Sequence, residues 1–100
     1  PMVGLSRKDS WEIMERAVEM MEILDILADK GSRLAVSDVG VGVQYMRAVL
    51  LGAVMNVYIN TRSMKNRQRA EEINQRALNL TKRGSSMADE IYSKVLSGLV

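Results

Sequence analysis

The sequence predicts an all-α protein built from three long helices. Proline occurs once, at position 1, and no segment alternates apolar and polar residues between turn signals as a half-buried strand does. Hydrophobic residues make up 47% of the 100 residues, yet only 4% are aromatic, with no Phe and eight Met. This composition is typical of helices that pack through aliphatic and Met side chains. A chain of this length is expected to form a single helical domain, residues 1–100, with a modest core.

The first helix is predicted to begin at Ser6 and to end near Asp29, before a stop at Gly31. Ser6, with Asp9 three positions later, resembles a capping box. Apolar residues recur at three- and four-residue steps, and five carboxylates occupy the remaining side: Glu12, Glu15, Glu19, Glu22 and Asp25. We expect that side to be solvated, with a carboxylate cluster for chemistry as the alternative.

The second helix is predicted to run from Ser37, as its N-cap, to Thr61. Asp38 follows in the first turn, where the helix dipole favours negative charge. The segment is apolar on nearly every side, so we expect other helices to enclose it. Small and amide residues recur at every fourth position, a spacing that permits close approach and directional hydrogen bonds: Gly40, Gln44, Ala48, Gly52, Asn56 and Asn60. An enclosed helix with such a polar row is a candidate wall of a binding site.

The third helix is predicted to begin at Ser63 and to end near Leu96. Gly84 lies inside it and is a predicted weak point, because Gly is a poor helix former. The apolar residues form a seam with a 3.5-residue repeat: Ala70, Ile73, Ala77, Leu80, Gly84, Met87 and Ile91. At about 1.5 Å per residue the helix is roughly 50 Å long, which is longer than a three-helix bundle formed by one chain alone. We therefore expect another chain to pair with it, as part of an oligomeric helical bundle.

Several classes of function are excluded by residues that the sequence lacks. It contains no His and no Cys, which removes Ser-His-Asp and Cys-His arrangements and His- or thiolate-bound zinc, so no metal site is predicted. Gly40 and Gly42 lie within an apolar helix, unlike a phosphate-binding loop. A net charge of +2 is too small to predict nucleic-acid binding.

The predicted location is the cytoplasm, without membrane insertion. No signal-peptide pattern precedes the first helix, and a sequence without Cys is compatible with a reducing compartment. The apolar run of the second helix approaches membrane-spanning length, but Gln44, Arg47 and Asn56 lie well inside it. A charged side chain near mid-span opposes insertion.

The second helix and its neighbours resemble part of a known family. The resemblance is carried by a set of small, acidic and amide residues: Gly31, Ser37-Asp38, Val39, Val41, Ala48, Gly52-Ala53, Asn56-Val57 and Asn60. With a helix before it and a long charged helix after it, this pattern resembles the C-terminal half of the formimidoyltetrahydrofolate cyclodeaminase and methenyltetrahydrofolate cyclohydrolase family. Family members are about twice this length, and their N-terminal half, with a Pro-Gly-Gly-Gly-Ser type turn, has no counterpart in the sequence.

The resemblance implies folate one-carbon chemistry. The reaction is either ring closure of a formimino group with release of ammonia, or hydrolytic opening of a methenyl bridge. Asp38 is implied as the catalytic carboxylate, and six further residues are implied to bind the substrate: Ser37, Gln44, Asn56, Asn60, Arg62 and Lys65. The amides suit the hydrogen-bonding edge of a pterin, and the two cations suit the substrate's glutamate tail. The resemblance implies no cofactor beyond the tetrahydrofolate substrate, and as partners a second copy or a chain that supplies the N-terminal half.

The same residues also have structural interpretations. In this interpretation Asp38 is a helix cap and nothing more. Asn56 and Asn60 then form hydrogen bonds between packed helices. Arg62 and Lys65 can simply extend into solvent. The alternative function is a non-catalytic helical assembly module whose third helix pairs with another helix.

Overall fold

The computed structural model describes residues 6–30 and 33–99. These ranges contain no strand, and their helices are α1 (Arg7–Lys30), α2 (Arg33–Arg62) and α3 (Arg67–Leu99). The all-α prediction with three long helices is confirmed. The molecule measures 51 × 23 × 18 Å, and a 33-residue helix such as α3 is itself about 50 Å long. The helices therefore lie along the long axis of the molecule.

The N-terminal cap of α1 is the predicted one. The Asp9 backbone N–H donates to Ser6 Oγ at 3.1 Å, so a serine hydroxyl satisfies one of the backbone donors that every helix start leaves unpaired. The helix continues to Lys30, one residue beyond its expected end. The stop predicted at Gly31 lies outside the described residues.

The predicted start of α2 is wrong. The helix begins at Arg33, four residues before Ser37, so Ser37 and Asp38 lie within its second turn and neither is its cap. Val36 packs against the hydrophobic core and extends the apolar face by one turn. The preceding residue types at 33–35, Arg, Leu and Ala, are good helix formers.

The predicted start of α3 is also wrong. The helix begins at Arg67, and residues 63–66 form the connection from α2. Asn66 caps it, because its Oδ1 accepts a hydrogen bond from the backbone N–H of Arg69 at 3.0 Å. Arg67 closes the end of α2 as well, since one of its guanidinium nitrogens lies 2.8 Å from the Thr61 carbonyl and 2.9 Å from the Met64 carbonyl.

Gly84 does not break α3. The helix continues through it to Leu99. A Cβ at Gly84 would collide with Leu50 Cδ2 of α2 and lie 3.2 Å from Val18 Cγ2 of α1. The glycine therefore stands where α3 lies close to both α1 and α2.

The three helices form an up-down-up bundle around one core. Gly42 lies against Leu24, whereas Asn56 meets Ser10, so α2 runs antiparallel to α1. The buried hydrophobic residues come from every helix and include Met14, Met21, Val43, Leu50, Val57, Ala77, Ala88 and Ile91.

The apolar seam of α3 is covered within the chain. Ala70, Ile73, Ala77, Gly84 and Ile91 are all buried. Residues of α1 and α2 therefore fill the seam, because α2 with 30 residues is nearly as long as α3 with 33. The oligomeric helical bundle stays a prediction.

Ion pairs connect the carboxylates of α1 to α3. Arg83 lies 2.9 Å from Glu22, and Lys94 Nζ lies 2.6 Å from Asp25 and 2.8 Å from Asp29. The side of α1 that was expected to be solvated is thus partly engaged. The hydrogen bonds that Lys94 donates to Asp25, and then to Asp29, raise the pKa of Lys94. Folding favours its charged form, so this contribution to stability is present below the ordinary lysine pKa and is lost as the pH rises through the raised value.

One face of α2 is covered by neither α1 nor α3. It exposes large apolar side chains: Val41 at 74%, Tyr45 at 66%, Met55 at 65% and Ile59 at 58%. The expectation that the helix is enclosed on all sides is therefore not met within this chain. Val36–Arg62 is long and apolar enough to cross a membrane by length and composition alone, but it contains Arg47, whose guanidinium lies 2.7 Å from Asp89 of α3.

Replacing Gly84 by Leu is expected to lower the free energy of unfolding by about 1–3 kcal/mol, the usual range for an overpacked core. Leu50 is fully buried and has little room to move away. Gly98→Leu is the matched control, because a Cβ at Gly98 meets nothing within 4 Å. Thermal unfolding followed by circular dichroism compares the two variants. Equal melting temperatures would show that the helices do not approach closely at Gly84.

We predict that the chain is not a monomer in solution. Four large apolar side chains on one face of α2 are more than half exposed, and a continuous exposed apolar patch on a soluble protein marks an interaction surface. Sedimentation equilibrium at micromolar concentration should therefore show a mass above that of one chain. A single species of 11.2 kDa would contradict the prediction.

Candidate functional site

The candidate residues divide into two groups at opposite ends of α2. Ser37 and Asp38 lie near the start of the helix, whereas Asn56 and Asn60 lie near its end. Eighteen residues separate Asp38 from Asn56, a distance of about 27 Å along a helix that rises about 1.5 Å per residue. The structure therefore does not bring the candidate catalytic carboxylate and these amides together within one chain.

The remaining candidates belong to the same two ends. Gln44 is half-buried and lies about 9 Å from Asp38 along the helix axis, by the same rise per residue. Arg62 is the last residue of α2, and Lys65 follows in the connection to α3; both are exposed. Asp38 is also exposed.

The row of small and amide residues does not form one wall. Four residues exceed one helical turn of 3.6 residues, so each step of the row drifts by about 40° around the helix. Gly40 is accordingly buried against Val95 of α3, Ala48 is exposed, and Asn56 is buried against α1. The prediction of a continuous polar face was wrong because this drift accumulates over six positions.

Asn56 connects α2 to α1. Its side chain is 3% exposed, and its Nδ2 donates a hydrogen bond to Ser10 Oγ. Ser10 is itself fully buried, and its hydroxyl donates to the Ser6 carbonyl at 3.0 Å. Asn60, one turn later, donates from Nδ2 to the Asn56 carbonyl at 2.8 Å. This geometry gives Asn56 a helix-to-helix role, and its contact with substrate remains a prediction.

A second buried hydrogen bond connects α2 to α3 at the same end. The Thr61 hydroxyl, almost completely buried, lies 2.6 Å from Asn74 Oδ1. Ser10, Thr61 and Asn74 are not among the residues predicted from the sequence. A signal for Ser10 exists, because it falls in register with Met14 and Met21 on the apolar side of α1. A hydroxyl in an apolar stripe implies a buried partner.

A cleft of about 460 Å³ lies between the first turns of α1 and α3. Its basic residues are Arg7, Lys8, Arg69 and Arg76, and its carboxylates are Glu12 and Glu15. The Arg76 guanidinium lies 5.5 Å from the centroid of the Trp11 ring, within cation–π range. Because cations outnumber carboxylates, the cleft favours an anionic group. It opens at the end of the bundle that carries Arg62 and Lys65.

Within residues 6–30 and 33–99, no group of three or more Asp and Glu side chains is arranged to hold a metal ion. The chemistry available from the described side chains is that of carboxylates, amides and guanidinium groups. Such groups stabilise charge, bind hydrogen-bonding edges and, for a carboxylate, transfer protons.

Comparison with known proteins places this arrangement in context. The sequence profile of the formiminotransferase-cyclodeaminase family matches residues 8–79, from the first turn of α1 to the middle of α3. A methenyltetrahydrofolate cyclohydrolase from Methylorubrum extorquens is 33% identical over 79 residues, which cover 79% of this chain and 38% of that protein. The chain thus spans well under half the length of this curated relative.

We expect Ser10→Ala and Asn56→Ala to be coupled in a double-mutant cycle. Each variant should lose about 1–2 kcal/mol of unfolding free energy, since each removes one side of a buried hydrogen bond. The double variant should lose less than the sum, with a coupling of at least about 0.5 kcal/mol. Chemical denaturation of the four proteins measures this, with Gln75→Ala as a control on the exposed side of α3. Strict additivity would contradict the contact.

Proposed function

The chain belongs to the formiminotransferase-cyclodeaminase family, and from this membership we propose that it acts in folate one-carbon metabolism. The proposed reaction is that of a formimidoyltetrahydrofolate cyclodeaminase or a methenyltetrahydrofolate cyclohydrolase. The observation that carries the proposal is the family match over residues 8–79, which includes the whole of α2. The name of the curated relative supports the cyclohydrolase form.

Asp38 is the proposed catalytic carboxylate. Both reactions pass through a cationic five-membered ring at one carbon, where an adjacent carboxylate can stabilise positive charge or move a proton. Its exposure at one end of the bundle supports access by a substrate. Ser37 precedes it, and Gln44 lies on the next turns of the same helix, where they are proposed to orient the bound ring.

The basic end of the bundle is proposed to hold the anionic part of the substrate. Arg62 and Lys65 are exposed there and meet no carboxylate among the described residues. The neighbouring cleft adds Arg7 and Lys8 to the same positive region. A carboxylate chain gains charge-assisted hydrogen bonds from such groups. Asn56 and Asn60 lie at this same end of α2 and are proposed as amide contacts for the pterin.

The alternative function is a helical assembly module without catalysis. The apolar face of α2 favours it, since such a face needs a partner whether or not the chain binds folate. In either case we propose that the chain works as an oligomer or together with a chain that supplies the N-terminal half, in the cytoplasm.

A thermal-shift titration separates the two functions. A ligand at a hundred times its dissociation constant stabilises the native state by about 2.7 kcal/mol.

The titration uses 5,10-methenyltetrahydrofolate and 5-formiminotetrahydrofolate, with p-aminobenzoate as a control that lacks the pterin. A melting temperature that rises with either reduced folate supports the proposal. Loss of the methenyl absorbance indicates cyclohydrolase activity, and release of ammonia from the formimino compound indicates cyclodeaminase activity. No shift with any reduced folate would favour the assembly module.

Asp38→Asn is expected to preserve the fold and to lower turnover by a factor of about 10² or more, the usual loss for a group that transfers a proton or stabilises charge. Folding should survive because Asp38 is exposed and caps no helix. Glu71→Gln, at an exposed position of α3, is the matched control. Turnover is measured from the methenyl absorbance, and folding from the melting temperature. A folded Asp38→Asn protein with an unchanged rate would remove Asp38 from the mechanism.

A further inference from the structure

The cleft between α1 and α3 is separate from the exposed apolar face of α2. Every residue that lines the cleft belongs to α1 or α3. In a three-helix bundle the groove between two helices faces away from the outer side of the third. A partner seated on the exposed face of α2 would therefore not fill this cleft, and a ligand can occupy it independently of that face.

Three cations of the cleft lie where helix electrostatics disfavour them. Arg7 and Lys8 are in the first turn of α1, and Arg69 is in the first turn of α3. The backbone N–H groups give a helix start a partial positive charge, so cations there oppose helix stability. A negatively charged ligand bound between the two helix starts would offset this cost, because anions are favoured at that end of a helix.

The fourth cation, Arg76, is oriented by the Trp11 ring. Its guanidinium group lies over that ring, 5.5 Å from the centroid. A guanidinium held on an aromatic face keeps N–H donors at its edge, and it loses less conformational freedom when it binds an anion. Within residues 6–30 and 33–99, neither Arg76 nor Lys8 forms an ion pair. Both are therefore available to a ligand.

The charge and size of the cleft indicate the class of ligand. Four cations and two carboxylates line it, which gives the lining a net charge of +2 that a dianion would balance. The carboxylates, Glu12 and Glu15, can accept hydrogen bonds from hydroxyl or amino groups, and they oppose a long polyanion such as a nucleic acid. The volume of about 460 Å³ lies in the range of small-molecule sites and exceeds what a phosphate group alone would fill.

We propose that this cleft binds a phosphate monoester whose organic part carries hydroxyl or amino groups. The phosphate lies between the cations of the two helices, and Glu12 and Glu15 accept hydrogen bonds from the organic part. A phosphate monoester carries nearly two negative charges and three acceptor oxygens, so it can engage cations from both helices at once. A sugar phosphate and a nucleoside monophosphate share this chemistry.

Trp11 makes binding directly observable, because it is the only Trp in the sequence and it lines the cleft. Its fluorescence is titrated with ribose 5-phosphate, adenosine monophosphate and inorganic phosphate, and with p-aminobenzoylglutamate as a dicarboxylate. We expect a saturable change with at least one of the two esters, at a lower concentration than with inorganic phosphate. The ester that binds more tightly identifies the kind of organic part.

Three results of the titration would overturn the proposal. The first is no saturable change with either ester. The second is inorganic phosphate binding as tightly as both esters, which would remove the role of the organic part. The third is p-aminobenzoylglutamate binding more tightly than both esters, which would assign the cleft to the tail of a folate. None of these ligands contains a pterin, so the outcome does not depend on whether the proposed folate reaction is correct.

Substitution of Arg76 tests the cations of the cleft. Arg76→Gln should raise the dissociation constant of the tighter ester about tenfold, the loss expected for a hydrogen bond to a charged group. Arg16→Gln is the matched control, because Arg16 is an exposed arginine of α1 that lines the groove toward α2 instead. Calorimetry measures the binding, and the melting temperature shows that each variant folds. Equal dissociation constants for Arg76→Gln and the native protein would overturn the proposed site.

Substitution of Trp11 tests whether it is a positioning residue for Arg76. Trp11→Leu keeps every cation of the cleft but removes the aromatic face, so the dissociation constant measured by calorimetry should rise about threefold. Trp11→Phe restores an aromatic face and should bind nearly as well as the native protein. Native affinity in Trp11→Leu would show that Arg76 does not need the ring, and equal weakening in both variants would show that the ring does not act through its aromatic face; either result overturns the role of Trp11.

Discussion

The buried contact between Asn56 and Ser10 is the constraint on which the arrangement of the bundle depends. The Asn56 amide donates to the Ser10 hydroxyl where both residues are buried, so this hydrogen bond favours the register of α1 and α2 that keeps it. Thr61 and Asn74 impose the same condition on α2 and α3 a turn and a half later. With both contacts at one end, the helix starts of α1 and α3 come together there. The basic cleft is a consequence of that convergence.

The three sides of α2 carry different tasks. One side meets α1 through Asn56 and the close approach of Gly42 to Leu24. A second side meets α3, where Leu50 rests on Gly84. The third side is apolar and exposed. Because the described residues supply only α1 and α3 as neighbours, a helix that is apolar on nearly every side is covered on two sides.

The sequence was sufficient to predict the three helices, but not to predict which face of α2 is buried or polar. Periodicity predicted three helices and the seam of α3, since both follow from local spacing. It failed at the starts of α2 and α3, because Ser37 resembles a cap without being one and α3 is capped by Asn66 rather than beginning at Ser63. It failed again for the polar row of α2, where spacing alone conceals the drift around the helix. The division of the candidate site between two ends follows from the separation of Asp38 and Asn56 in sequence, once α2 is known to be one continuous helix.

Arg67 has a consequence for the dynamics of the corner between α2 and α3. The residue is the first of α3, and its guanidinium group holds carbonyls of Thr61 and Met64 beyond the end of α2. Helix ends usually fray independently, one residue at a time. Here the last turn of one helix cannot open without releasing the first side chain of the next. Amide hydrogens on both sides of the corner should therefore exchange with solvent as one cooperative unit, so that α2 and α3 behave as a single hairpin to which α1 is added.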